Sequence, residues 1–287
     1  MISGEISPRA RASGVAMARE VARRDVAVER GAGAATARYA VLVLRVSVLE
    51  LPATWGEPRR ALDAVSTELE RGPATDVVLL PEASLAGYVS PSGDFDLTPF
   101  AEPLDGPTRR AVSELARRHG VVLVAPLVLR EGRACFNAMI ACDRTGELLF
   151  TYRKRHPWFP ETWATPGSAP APIVTIDGAR VTIAICFDLH FLEEDAGPAL
   201  DASDLLLFPS AWVEEEDERA IRLPELARRH RVAIANANWS AGVVRIAGQG
   251  ASSIVSAHGE ILARTRTQVS GAARSGGIAR ADAALGS

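Results

Sequence analysis

Short strand-like runs recur along this chain of 287 residues, and three of them end at a chemically reactive side chain. The run 77–81 is followed by Glu82, the run 148–153 by Lys154, and the apolar run 181–185 by Cys186. Continuously apolar runs of this length are typical of strands buried on both faces of a sheet. Because parallel strands in layered α/β folds present their chemistry at their carboxyl ends, the three side chains are predicted to form one site.

The chain also contains stretches that are predicted to be helices. Residues 58–69 carry Leu62, Val65 and Leu69 at helical spacing, and residues 107–119 begin with Pro107 and stop before Gly120, which are common helix-start and helix-stop residues. Single buried strands, hairpins and helices together predict a layered α/β sandwich with one domain. The other predicted elements are strands over 39–46, 121–129, 134–142, 147–153, 173–176, 204–208, 232–235, 252–256 and 261–264, and a helix over 219–230 that Pro224 breaks or starts.

Residues 1–37 differ in composition from the rest of the chain. They are rich in Ala, Arg, Glu and Gly and carry few large apolar side chains. Such a segment cannot bury enough apolar surface to offset the entropy of ordering it. We therefore predict a loosely docked or disordered arm over 1–37 and a folded domain over 38–287.

Composition argues against several classes of partner. The net charge of −3 leaves no basic surplus for nucleic acid or anionic lipid, and no apolar stretch approaches the ~20 residues needed to span a bilayer. Three cysteines, together with an N-terminus that lacks a secretory apolar region, favour a reducing cytoplasm over a disulfide framework. Neither Cys-x-x-Cys nor His-Glu-x-x-His occurs, so neither a metal nor a cofactor is expected.

The three reactive side chains form a chemically complete set. A neutral thiol needs a base to remove its proton during attack on a carbonyl or nitrile carbon, and the carboxylate of Glu82 is suited to that task. Lys154 would keep Glu82 ionised and stabilise the charge of the tetrahedral intermediate. Cys186 would then carry a thioester that water hydrolyses.

The residues around these three resemble the motifs of the carbon–nitrogen hydrolase (nitrilase) superfamily. The resemblance runs in order from residue 39 to about residue 283. Its main segments are 79–88 (Leu-Leu-Pro-Glu-Ala-Ser-Leu-Ala-Gly-Tyr), 152–156 (Tyr-Arg-Lys-Arg-His) and 185–188 (Ile-Cys-Phe-Asp), with further similarities at Asn137, 160–161, 166–167, 209–212, 250–256 and 259–262.

This resemblance implies an αββα sandwich in four layers, a Glu–Lys–Cys triad without metal, and assembly into a homodimer or larger homo-oligomer. Glu161 matches a second glutamate that positions the substrate and the lysine in that family. The family commonly has arginine where this chain has His190. On the late helix, residues 227–231 (Ala-Arg-Arg-His-Arg) also lack the usual glutamate and asparagine.

Aromatic residues next to the motifs are candidates for the substrate wall. Tyr88, Trp158 and Trp212 are the ones that we expect to line it, although any one of them could equally belong to the core. His190 is expected to replace a charge contact that arginine makes elsewhere in the family, which would favour a negatively charged substrate tail.

The predicted function is hydrolysis of a small linear amide or N-carbamoyl compound with release of ammonia. True nitrilases usually follow the cysteine with Trp-Glu, whereas Phe187-Asp188 is similar to the amidase and carbamoylase branches. Two alternatives stay open: a nitrilase that converts a nitrile to acid and ammonia, and a non-catalytic binding member of the superfamily.

Overall fold

Two sheets packed face to face form the centre of the fold. The structure, a computed structural model, describes residues 43–214, 217–265 and 278–286. Within these ranges each sheet has six strands, and helices cover the outer faces. The layers therefore run helix, sheet, sheet, helix, which confirms the predicted αββα sandwich. The predicted arm, 1–37, lies outside the described residues.

The first sheet carries Glu82 and Lys154. Its order is β12-β1-β2-β3-β4-β5, in which β1, β2 and β3 are parallel and β4 and β5 follow as an antiparallel meander. Two reversals return β5 to the direction of β3, so β2 and β5 end on the same side. The strands are β1 (Val43–Glu50), β2 (Val77–Leu79), β3 (Val122–Glu131), β4 (Ala134–Cys142), β5 (Leu148–Arg153) and β12 (Ala279–Gly286).

The second sheet carries Cys186. Its order is β11-β10-β9-β8-β7-β6, with β7, β8 and β9 parallel and the remaining pairs antiparallel. A bridge between Pro52 and Ser240 joins the chain after β1 to the chain after β9, at the end where the catalytic candidates lie. The strands are β6 (Val174–Ile176), β7 (Ala179–Ile183), β8 (Leu205–Ser210), β9 (Ala233–Asn238), β10 (Ser253–Val255) and β11 (Ile261–Arg264).

Within the described ranges, four α-helices bury an apolar stripe against the sheets. α1 (Pro58–Arg71) and α2 (Pro107–His119) pack on the first sheet, and α3 (Leu192–Asp201) and α4 (Arg219–His230) pack on the second. Among the described residues, no helix is both long enough and apolar enough to cross a membrane. α2 and α4 have the predicted bounds, and Pro224 lies inside a continuous α4.

α3 and β12 were not predicted, and β7 is shorter than predicted. α3 contains Pro198 and three acidic residues in its first turn, and half of the residues of β12 are alanine, with charged residues between. Neither segment has a strong local preference, and β12 exists because all eight of its residues pair with β1. β7 ends at Ile183, and Cys186 begins a short 3₁₀ helix, Cys186–His190.

Candidate active site

The three predicted reactive side chains lie together. Glu82 follows β2, Lys154 follows β5, and Cys186 follows β7, so the site forms where the two sheets meet. Glu82 is 0% exposed, Lys154 1% and Cys186 7%. Among the described residues, no cluster of three or more His, Cys, Asp or Glu is arranged to hold a metal ion.

Lys154 contacts two carboxylates at once. Its Nζ donates to Glu82 Oε1 at 2.6 Å and to Glu161 Oε1 at 2.8 Å. Its backbone is fixed as well, because Lys154 N–H donates to Asn137 O at 2.8 Å. A buried cation paired with two carboxylates leaves one net negative charge, which makes proton uptake by this cluster favourable.

The other contacts of Glu82 come from both sheets. Asn137 Nδ2 on β4 donates to Oε1 at 2.7 Å, and the backbone N–H of Ala211, just after β8, donates to Oε2 at 2.9 Å. Both carboxylate oxygens are therefore hydrogen-bonded. This holds the carboxylate in one orientation, close enough to Cys186 for its charge to raise the pKa of the thiol.

Cys186 lies on a turn that Asp188 stabilises. Its φ is +44°, in the left-handed region, which costs a non-glycine residue about 1–2 kcal/mol. Asp188 Oδ2 accepts from Ile185 N–H at 3.0 Å and from the Tyr152 hydroxyl at 2.9 Å, while Oδ1 accepts from His156 N–H at 2.9 Å. Asp188 thus ties the nucleophile turn to the chain on both sides of Lys154.

Burial and charge set the protonation states of the cluster. Burial, and after it the charge of Glu82, raises the pKa of the Cys186 thiol well above its ordinary value of 9.0. Burial also raises the pKa of Glu82 above 4.5, with Lys154 opposing it. Burial acts to lower the pKa of Lys154, but the charges of Glu82 and Glu161 outweigh it and the pKa is raised. The resting site therefore holds a neutral thiol, an ammonium group and a carboxylate base.

Aromatic side chains surround the opening above Cys186. Tyr88 donates from its hydroxyl to Glu161 Oε1 at 2.7 Å and stacks on Trp158 with ring centroids 6.5 Å apart. The backbone carbonyl of Trp212 accepts from Nε1 of the buried Trp239 at 2.8 Å, which holds that part of the wall in place. The pocket is lined by Tyr88, Trp158, Cys186, Phe187, His190, Ala211, Trp212, Val213 and Glu214.

The structure brings every predicted site residue to this one place. Glu161 joins the charged cluster, and Tyr88, Trp158, His190 and Trp212 line the pocket. Sequence reasoning did not single out Asp188, Ala211 or Glu214. Asp188 was visible only as part of a motif, the Ala211 contact is a backbone group, and nothing local in the sequence marks Glu214 as facing the pocket.

Comparison with known proteins gives the family and the fold. A profile described as Carbon-nitrogen hydrolase matches residues 45–277. A protein named "Hydrolase in pqqF 5'region" from Pseudomonas protegens is 28% identical over 193 residues, which are 66% of this chain and 67% of that protein. A citrullinase from Francisella tularensis is 28% identical over 141 residues, which are 47% of this chain and about half (49%) of that enzyme.

Solved structures share the architecture. A variant of an amidase of the nitrilase superfamily from Nesterenkonia has a TM-score of 0.71 at 24% identity, covering 84% of this chain and 90% of the amidase. Another variant of that amidase, with a TM-score of 0.65 at 23% identity over 84% and 90% of the two chains, carries the acetamide moiety of fluoroacetamide on its active-site cysteine. At this level of identity the likeness shows the fold alone.

Proposed function

The chain belongs to the carbon–nitrogen hydrolase family, and we propose that it hydrolyses small linear amides or N-carbamoyl compounds through a thioester on Cys186. The observation that carries the proposal is the buried cluster in which Lys154 Nζ lies 2.6 Å from Glu82 Oε1 and 2.8 Å from Glu161 Oε1 beside the Cys186 thiol. Ion pairs that only stabilise a fold are seldom buried so completely, and a purely structural role would not require a thiol next to the pair.

In the first half-reaction, Glu82 takes the proton of the thiol as Cys186 Sγ attacks the amide carbonyl carbon. The carbonyl oxygen becomes negative, and Lys154 Nζ together with the backbone N–H of Phe187 stabilises it. Glu82 then passes the proton to the amide nitrogen, the C–N bond breaks, and ammonia or an amine leaves. A base is needed because the raised pKa keeps the resting thiol neutral.

In the second half-reaction, Glu82 removes a proton from water as the water oxygen attacks the thioester carbon. The C–S bond breaks, the acid leaves, and the proton returns to Cys186. A ureido compound would instead yield the amine, ammonia and carbon dioxide. The hydrogen bonds from Asn137 and Ala211 hold the carboxylate of Glu82 in place for the proton transfers of both half-reactions.

The names of the relatives support the amide and ureido classes. One relative is a citrullinase, which acts on a ureido compound by its name, and the structural neighbour is an amidase. The backbone N–H of Phe187 and Lys154 can polarise an existing carbonyl oxygen, whereas attack on a nitrile yields a thioimidate that must then be hydrated.

The test combines a variant with a substrate panel. Cys186→Ala should abolish ammonia release from every substrate while leaving the thermal unfolding midpoint close to that of the wild type, and intact mass should show an acyl adduct only on the wild type. Activity that survives in Cys186→Ala would overturn the covalent mechanism.

The panel compares the amide, ureido and nitrile forms of one carbon skeleton by kcat/KM. We expect the amide or ureido form to be preferred, and a nitrile favoured by about tenfold, or 1.4 kcal/mol, would assign the chain to the nitrilase branch instead.

A further inference from the structure

The charged side chain that lines the mouth of the catalytic pocket is acidic. Glu214 lines the pocket together with Cys186, and its side chain is exposed, whereas the lining residues include no arginine or lysine. Two acidic neighbours along the chain are already paired: Asp217 with Arg219 at 2.7 Å and Glu218 with Arg222 at 3.3 Å. No ion pair among the described residues, 43–214, 217–265 and 278–286, includes Glu214.

The one basic side chain in the lining, His190, is held neutral. An arginine can only donate, so the contact of 3.0 Å between Arg222 Nη1 and His190 Nδ1 makes Nδ1 the acceptor. The ring proton is then on Nε2. Burial, and after it the charge of Arg222, lowers the pKa of His190 below 6.5. His190 therefore brings no positive charge to the pocket at neutral pH.

The charge of Arg222 is directed elsewhere. Besides His190, it donates to the backbone oxygen of Leu189 at 3.1 Å and to Glu218 at 3.3 Å. Arg222 is not among the residues that line the pocket. Arg219 lies 5.5 Å from the centre of the Trp212 ring, but it is paired with Asp217. Among the described residues that line the opening, the exposed charged side chain is therefore Glu214.

We propose that Glu214 determines substrate specificity and that the pocket selects amide or ureido substrates whose far end carries a protonated amine. This inference rests on the proposed function and names its substrate class. A carboxylate attracts an ammonium group, and the aromatic side chains of Tyr88, Trp158 and Trp212 give the pocket an apolar wall that suits an alkyl linker. This substrate class has the opposite charge to the acidic tail that was expected from the sequence, in which His190 takes the place of arginine.

The test uses amides of one carbon skeleton that end in an ammonium, a methyl or a carboxylate group, over a series of chain lengths. We expect the ammonium-ended amide to exceed the carboxylate-ended one in kcat/KM by at least about tenfold at its best length. Raising the ionic strength from low to physiological should reduce that preference, because the pair is partly exposed.

Variants at Glu214 test whether this side chain causes the preference for ammonium-ended amides. Glu214→Gln should lower the ratio of kcat/KM for the ammonium-ended over the methyl-ended amide by about fivefold, mainly through KM, since Glu214 contacts the far end of the substrate. Glu214→Lys should invert the order of ammonium-ended and carboxylate-ended amides. The control is Glu260→Gln, which changes net charge equally at an exposed turn that does not line the pocket, and it should leave both ratios unchanged.

The outcomes separate the two proposals. If no amide or ureido compound is hydrolysed, the proposed function fails. If amides are hydrolysed but the three ends are turned over equally, or if Glu214→Gln and Glu260→Gln act alike, the proposed function stands and the role of Glu214 is overturned.

Discussion

At the scale of single residues, the site depends on how one lysine is shared between two carboxylates. Lys154 contacts Glu82 and Glu161, and Tyr88 adds a hydroxyl to Glu161 at 2.7 Å. Burial and the charges of Glu161 and Glu82 raise the pKa of Tyr88, which keeps it a phenol and a donor. Glu161 accepts from Lys154, Tyr88, the N–H of Trp158 at 3.3 Å and Asn137 at 3.4 Å, whereas Glu82 lies close enough to Cys186 for its charge to raise the pKa of the thiol.

Glu82 therefore gives a prediction with a defined pH direction. Because burial raises its pKa above 4.5, the base form is lost, and kcat/KM falls, as the pH drops through a value above 4.5. Glu82→Gln and Lys154→Ala should each lower kcat at least about a hundredfold, and Glu82→Gln should also remove the acidic limb of the pH–rate profile.

Glu50 supplies the matched control for Glu82. It is also a buried glutamate, with Oε2 accepting from Thr265 at 2.5 Å and from Ser252 at 3.2 Å, but it does not line the pocket. Glu50→Gln should lower stability and leave the acidic limb in place. An acidic limb that persists in Glu82→Gln, or a near wild-type rate in either site variant, would contradict the assigned roles.

At the scale of elements, α2 and α4 end in the same six residues but differ at the next position. Each helix closes with Glu-Leu-Ala-Arg-Arg-His and is followed by a left-handed residue, Gly120 with φ +61° after α2 and Arg231 with φ +52° after α4. Glycine adopts this conformation without steric cost, whereas a residue with a Cβ does not. The end of α4 therefore stores strain that the end of α2 lacks.

Arg231→Gly should therefore stabilise the protein by about 0.5–1 kcal/mol, or about 2 °C in the thermal midpoint. The reciprocal change, Gly120→Ala, should destabilise it by about 1 kcal/mol through conformation alone, because no atom lies within 4 Å of the added Cβ. Arg231→Ala removes the same charge but keeps the strain, so it serves as the control. If Arg231→Ala stabilised as much as Arg231→Gly, the gain would come from charge and the strain would be excluded as its cause.

At the scale of the whole molecule, β1 lies inside the first sheet of the described fold. β1 begins at Val43 and has a strand on each side, β12 antiparallel and β2 parallel. Its inward-facing residues Leu44, Val46 and Val48 are buried in the core that both sheets share. β1 is therefore not an edge strand in the described part of the fold.

A chain shortened to begin at Ala37 is expected to keep both its thermal midpoint and its kcat. A chain shortened further, to begin at Val48, loses five of the eight residues of β1 and should fail to fold, so it serves as the control in which the assay detects loss of structure. Thermal unfolding and turnover of a reference amide measure both outcomes. An insoluble or inactive protein starting at Ala37 would place the arm in the fold or in a subunit contact.

The sequence alone determined the reactive side chains and most of the regular elements. Glu82, Lys154 and Cys186 were identifiable because each follows a strand-like run, and α2 because Pro107 and Gly120 bound an amphipathic stretch. These are local signals, carried by residues that are neighbours in the chain.

The tertiary structure alone decided the features that depend on distant residues. The alanine-rich β12 is a strand because β1 pairs with it, and Glu82 is oriented by the N–H of Ala211, which lies 129 positions away in the chain. The charge of the pocket mouth could not be predicted either. It depends on the folded contacts that turn Arg222 towards His190 and Glu218 and leave Glu214 at the opening.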